Sequence, residues 1–245
     1  MRHATVLSAF IFLFASVAAA QPTHVKELES GAKVIENFES EEVGTLPQRW
    51  FNYKAERAVS DFSKEQRAKY KYEVMEQDGN KFLRYSGTKA MHLNFPTKKV
   101  DNINIHETPV LSWRWRVWDL PEGGNEDDDD ANDTAASIYV VFDMGHVLFK
   151  KVPKSIRYTW SSSLEEGTDL SKFFGNQKII ILESGDDGLE EWKTFKRNIV
   201  EDYKRLFGDS PPKKPLAILI LSDGDSTGDD AKADYDDIML LPESK

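Results

Sequence analysis

With 42 Asp and Glu against 32 Lys and Arg, this chain of 245 residues carries a net charge of −10, and no cluster of Lys and Arg with interleaved aromatics reverses that balance. Such a surface repels phosphate backbones, which excludes nucleic acid as an expected partner. There is no Cys, so neither disulfides nor thiol chemistry are in use, and beyond the first residues no apolar run is long enough for a membrane-spanning helix.

Arg2 and His3 precede an apolar run from Ala4 to Val17 that ends in Ala18-Ala19-Ala20. This pattern predicts a secretory leader over residues 1–20, cut after Ala20, and a periplasmic or secreted protein. Export without disulfides suits a bacterial envelope or medium better than a small stapled scaffold. Residues 21–33 lack a hydrophobic period and are expected to form a flexible lead, with one domain over 34–245.

Val34 to Glu39 alternates as a strand, and Gly44, Pro47 and Trp50 mark the loop after it. Between Lys54 and Lys69 only a short helical turn is expected. Tyr70 to Met75 and Phe82 to Ser86 read as two strands around Asp78-Gly79, a hairpin signal. Met91 to Phe95 alternates again. Leu111 to Trp118 then forms a strand with two characters: Trp113, Trp115 and Val117 point to the core, whereas Ser112, Arg114, Arg116 and Trp118 point away. Its exit, Pro121 to Asp133, carries a run of acids that predicts a solvated loop. Ala136 to Asp143 is apolar on both faces and belongs in the middle of a sheet. Ser155 to Trp160, Lys178 to Glu183, Leu216 to Leu221 and Tyr235 to Leu241 complete the strands. Residues 189–206 repeat apolar positions at helical steps, so they form either one helix or a strand from Trp192 to Asn198 followed by a helix from Ile199 to Phe207. A closed sandwich favours the second. The expected fold is all-β, a jelly-roll sandwich with one short helix.

Leu111 to Val117, Ala136 to Phe142, Trp192 with Arg197-Asn198 and Asp202-Tyr203, Phe207-Gly208 with Pro211-Pro212, and Ser222 to Gly228 with Tyr235 to Ile238 resemble, in that order, the bacterial exported proteins grouped as domain-of-unknown-function family 3047. Asn132-Asp133 and Ser137 depart from that pattern, where two acids and an Arg would be expected. In architecture, Asn37-Phe38-Glu39 with Gly44, Pro47 and Trp50 and a closing Tyr235 to Ile238 is similar to jelly-roll carbohydrate-binding and galactose-binding-like domains. That resemblance implies adjacent first and last strands, a structural calcium and a sugar site on a concave face or at the loop tips.

Two constellations carry the functional expectations. Asp223, Asp225, Thr227 and Asp234 approach calcium-loop spacing with Gly228 at the turn, and Asp237 lies close by; the alternative is a set of turn carboxylates. A phosphatase nucleophile motif at Asp223-x-Asp225 is rejected, because no alternating strand and helix pattern precedes it and too little chain follows. Ser112, Arg114, Arg116 and Trp118, with Trp160 and Arg197, are the candidate ligand groups, since Arg forks and indole faces meet sugar hydroxyls and carboxylates. Pairing of these Arg with Asp133, Asp143 or Glu183 is the structural alternative. The five His are not at zinc spacing, and no nucleophile elbow, P-loop or dinucleotide fingerprint occurs. The resulting expectation is an exported, non-catalytic module for a glycan, with a carbohydrate-active enzyme or a structural envelope protein as alternatives.

Overall fold

A computed structural model describes residues 24–243 apart from 53, 90, 148 and 149; the expected leader lies outside these. The chain opens with β1 (Lys26–Glu27), β2 (Lys33–Glu36), a single turn α1 (Lys64–Arg67), β3 (Tyr72–Gln77), β4 (Asn80–Gly87) and β5 (Leu93–Phe95). β6 (Val110–Asp119), β7 (Thr134–Val147), β8 (Lys150–Ser161), β9 (Asp169–Lys172) and β10 (Gln177–Ser184) follow. β11 (Lys193–Asn198), α2 (Ile199–Phe207), β12 (Ala217–Asp223) and β13 (Ala231–Leu241) close it.

The strands form two sheets. In the first, β13 runs between β6 on one side and β4 then β2 on the other, with β3, β1 and β11 outside them. β13 changes partner at a bulge after Asp236, where Asp237 takes a left-handed φ of 49°. The second sheet runs β5-β12-β7-β8-β10-β9, antiparallel except for the β8-β10 pair. This is the expected sandwich, and β7 sits centrally in its sheet. Asp78 and Gly79, both at positive φ, make the predicted hairpin between β3 and β4.

Side-chain alternation builds the core. Trp113, Trp115 and Val117 from β6 meet Ile138, Val140 and Phe142 from β7 and Ile218 and Ile220 from β12, all fully buried. Residues 192–198 follow the strand alternative: β11 pairs with β6 from Lys193↔Trp115 to Asn198↔Val110. Asn198 ends that strand by capping α2, accepting from the Val200 and Glu201 N–H groups, and Gly208 closes the helix in the left-handed region.

Three expectations need correction. Part of the lead is tied down: Val25 is buried, its N–H and C=O are bonded by Asn102, and Lys26 pairs with Val34. Trp160 is not a surface platform but core, with its indole N–H donated to the Gly185 carbonyl. The acidic loop is not wholly solvated, because Glu126 and Asp133 are both fully buried against sheet two.

Candidate functional site

On the outer face of sheet one, the charges expected at a ligand site are already engaged. Asp234, fully buried, accepts the Nε of Arg84 at 2.6 Å and its Nη2 at 2.9 Å, Arg116 Nε at 2.9 Å and Trp118 Nε1 at 2.8 Å. The Arg116 guanidinium lies 4.6 Å from the Trp118 ring and 4.7 Å from the Trp192 ring. Arg114 donates to Asp236 at 2.5 Å and to Asn80 at 2.8 Å, and it too lies over Trp192. The acids that pair these Arg come from β13, not from Asp133, Asp143 or Glu183. Ser112 is buried beside them, whereas Arg197 is remote, held by Asp202, which also accepts from the Tyr158 hydroxyl.

The outer face of sheet two is different. Cross-strand register aligns Asn94, Leu219, Tyr139, Arg157 and Ile179 in one row, and Ala217, Val141, Ser155 and Gln177 in a neighbouring row. Over these rows lies a groove of about 770 Å³, with Tyr139, Ala217 and Leu219 at its floor. His92 meets the Tyr139 ring edge-on at 5.8 Å. Phe173 borders the groove and is 60% exposed; Phe174, next to it, is 88% exposed. Both Phe hold left-handed φ values, 48° and 56°, which bulky residues adopt only at a cost, and the turn presents their rings to solvent.

Beyond Tyr139 the same face holds a buried charged cluster. Arg157, 2% exposed, donates Nη1 to Asn132 at 2.8 Å and approaches Glu126 at 4.0 Å, but its Nε and Nη2 have no hydrogen-bond acceptor among the described residues. Glu126 instead accepts from Ser161 at 2.5 Å and from Thr159 at 3.3 Å. At the end of β12, Asp133, Asp223 and Asp225 bring carboxylate oxygens within 4.8 Å of one another. Asp133 accepts from the Ser226 and Thr227 N–H groups, and Asp223 from the Thr134 N–H. The turn between them needs Gly224, because a Cβ there would sit 2.0 Å from the Asp229 carbonyl oxygen. Burial pushes the Asp223 carboxyl up to about 7 against the pull of Arg157, and Asp133 and Asp225 add to the rise.

Of the expected metal group, Asp223 and Asp225 come together, and Thr227 contributes its backbone N–H to Asp133. Asp234 and Asp237 do not join them: both face Arg on sheet one. Crowded hard oxygens with one carboxyl held near neutrality fit a divalent cation, so the donor set could hold a metal. The sequence reading missed Asp133 as a partner because it comes from another loop. It missed Tyr139 and Arg157 because their strands read as core, though a lone Arg within Ser155 to Trp160 was the available signal.

A family model described as "Protein of unknown function (DUF3047)" matches residues 49–239. No match among curated proteins was found. Among solved structures, the chain is similar to a family 11 carbohydrate-binding module of a cellulosomal cellulase of Clostridium thermocellum, with 10% identity, TM-score 0.42, and 89% of this chain and 98% of that one covered. A family 30 module of another cellulosomal cellulase of Clostridium thermocellum gives 8% identity and TM-score 0.42 over 82% and 96% of the two chains. A non-crystalline cellulose specific module, CBM28, gives 14% identity and TM-score 0.37 over 89% and 96%. Likenesses at these scores describe a shared outline and say nothing of what this chain binds.

Proposed function

This chain belongs to the DUF3047 family of proteins of unknown function, and from that premise we propose that it is an exported, non-catalytic module that binds a glycan in the groove on sheet two. The observation that carries the reading is the pairing of an apolar, aromatic floor with exposed aromatics at the rim: Tyr139 below, Phe173 above, and Asn94, Ser155 and Gln177 as polar groups between. Sugar rings offer apolar faces to aromatics and hydroxyls to amides, and a concave site with few placed polar groups is the usual form of a small-ligand pocket. The outer face of sheet one is a weaker place for a ligand, because its guanidiniums already have acceptors. Export is supported by the leader pattern at residues 1–20. The Asp133, Asp223 and Asp225 carboxylates support a bound calcium that would neutralise them and hold the acidic loop against β12.

Titration calorimetry of the chain against a panel of plant, algal and bacterial polysaccharides tests the reading. Saturable binding without new reducing ends or unsaturated products is expected. Phe173→Ala should weaken it about tenfold, roughly 1.4 kcal/mol, with an unchanged melt because that side chain is exposed. Absence of binding to every polysaccharide would end the glycan reading, and accumulation of cleaved product would turn the module into an enzyme.

A further inference from the structure

The charges around the groove run against those of the whole chain. Acidic residues outnumber basic ones, 42 to 32, yet among the described residues no Asp or Glu lines the groove, while Lys54, Lys98 and Lys99 do. All three are exposed, and among the described residues none has a carboxylate partner; the Lys99 ammonium meets only the Ala55 carbonyl, at 3.3 Å. Lys98 and Lys99 are not loosely tethered. They sit on one 3-10 turn over 97–99, fixed where the Lys98 N–H donates to the Leu216 carbonyl and the Thr97 hydroxyl to the Pro215 carbonyl.

Beside the floor the same face carries one buried cation. The Arg157 guanidinium lies 5.6 Å from the Tyr139 ring and is offset by Glu126, at 4.0 Å, and by Asp223. Burial, with Arg157 next in effect, pushes the His92 imidazole down to about 4, so it adds no charge near neutral pH, and burial pushes Tyr139 up to about 12, so it removes none. The acid triad lies beyond the row of Leu221 and Ser137 and off the groove lining, with Asp223 within electrostatic reach of Arg157 and Tyr139. A concave, low-dielectric site lined by one sign of charge concentrates ligands of the other.

We infer that the groove selects an anionic glycan, a polysaccharide whose carboxylate or sulfate groups meet Lys54, Lys98 and Lys99 while its ring faces pack on Tyr139 and Phe173. This deepens the glycan reading and rests on it. Exposed Phe beside Lys is also the composition of a membrane-surface anchor, but the floor is recessed and Tyr139, Ala217 and Leu219 are buried within it, which suits a chain that enters a groove better than a flat bilayer.

Calorimetry of the full chain separates the possibilities with four probes: polygalacturonate, dextran sulfate, neutral dextran together with xylan, and vesicles of phosphatidylcholine and phosphatidylglycerol in equal parts. Binding to polygalacturonate or dextran sulfate, and not to the neutral polymers, is expected, and which of the two binds identifies the anionic group. The Lys98→Ala/Lys99→Ala variant should lose at least about tenfold in affinity. Raising salt from about 0.01 M to about 1 M, which shortens the Debye length from about 30 Å to about 3 Å, should weaken binding further. Both lysines are exposed, so an unchanged melt certifies the variant. Equal binding of neutral polymers, or affinity indifferent to salt and to the lysines, overturns the anionic selection and leaves the glycan module standing. Binding to vesicles alone overturns both.

Discussion

The two outer faces of the sandwich hold charge in opposite ways. On sheet one, Asp234 and Asp236 match Arg84, Arg114 and Arg116 with short hydrogen bonds, Arg114 Nε is left to an ion pair with Asp237 at 3.0 Å, and indole rings cover the guanidiniums. On sheet two, Arg157 is buried more completely than Arg114 yet keeps two donor nitrogens without acceptors among the described residues, and Asp133, Asp223 and Asp225 crowd like charges together. A network whose guanidiniums are held by acids serves the fold, because it leaves little for a ligand to take up. An unsatisfied one is costly to the fold and is where an ion or ligand has most to offer.

The strongest way to break this comparison is to remove the hub of sheet one. Asp234→Ala leaves the buried Arg116 guanidinium, and the half-buried Arg84 and Trp118, without their shared acceptor, and breaking a buried pair from one side costs about 3–5 kcal/mol. For a chain of this size that lowers the melting temperature by roughly 6–20 °C. Affinity for the glycan, measured below the new melt, should not change. An unaltered melt would show that the network does not hold the sheet.

A smaller effect, and one that sharpens the contrast, comes from pH and calcium. Asp223, ordinarily near 3.8, titrates at about 7, and Asp236 at about 6, both raised chiefly by burial. In each case the folded chain holds the proton more tightly than the unfolded chain. Their contribution is therefore fully present below about pH 4 and is lost as pH rises through 6 and 7. In chelator, Asp236→Asn should remove the share of that loss that ends near pH 6, and Asp223→Asn the share that continues to about pH 7. Calcium at about 100 times its dissociation constant should add about 2.7 kcal/mol at neutral pH and erase only the Asp223 step. A thermal melt indifferent to calcium at pH 7.5 would remove the metal from sheet two.

Much of this molecule was legible before its structure. Strand alternation located Trp113, Trp115 and Val117 in the core and Asp78-Gly79 set a hairpin, because each depends on neighbours in sequence, and the helix from Ile199 to Phe207 was legible as one of two alternatives. The sites were less legible because they are assembled across the chain. Asp223 and Asp225 were visible as a motif, but their third partner, Asp133, arrives from the loop before β7, and the apparent motif partner Asp234 lies on β13 of sheet one, where strand alternation turns it to the outer face and onto Arg116. Trp160 shows the same limit: its strand has two faces, and only the pairing of β8 with β7 and β10 decides which is wet.

The smallest expected effect decides most directly between the faces. Trp118→Phe keeps a ring near Arg84, Arg116 and Lys232 but removes one hydrogen bond to Asp234. A bond to a charged acceptor contributes about 1.5–3 kcal/mol, and the two Arg still hold that carboxylate, so a loss at or below the low end is expected in urea unfolding. Polysaccharide affinity should stay within error of the parent. Were affinity to fall while stability held, Trp118 would be a sugar platform, Ser112, Arg114 and Arg116 would be its polar partners, and the binding face would be sheet one.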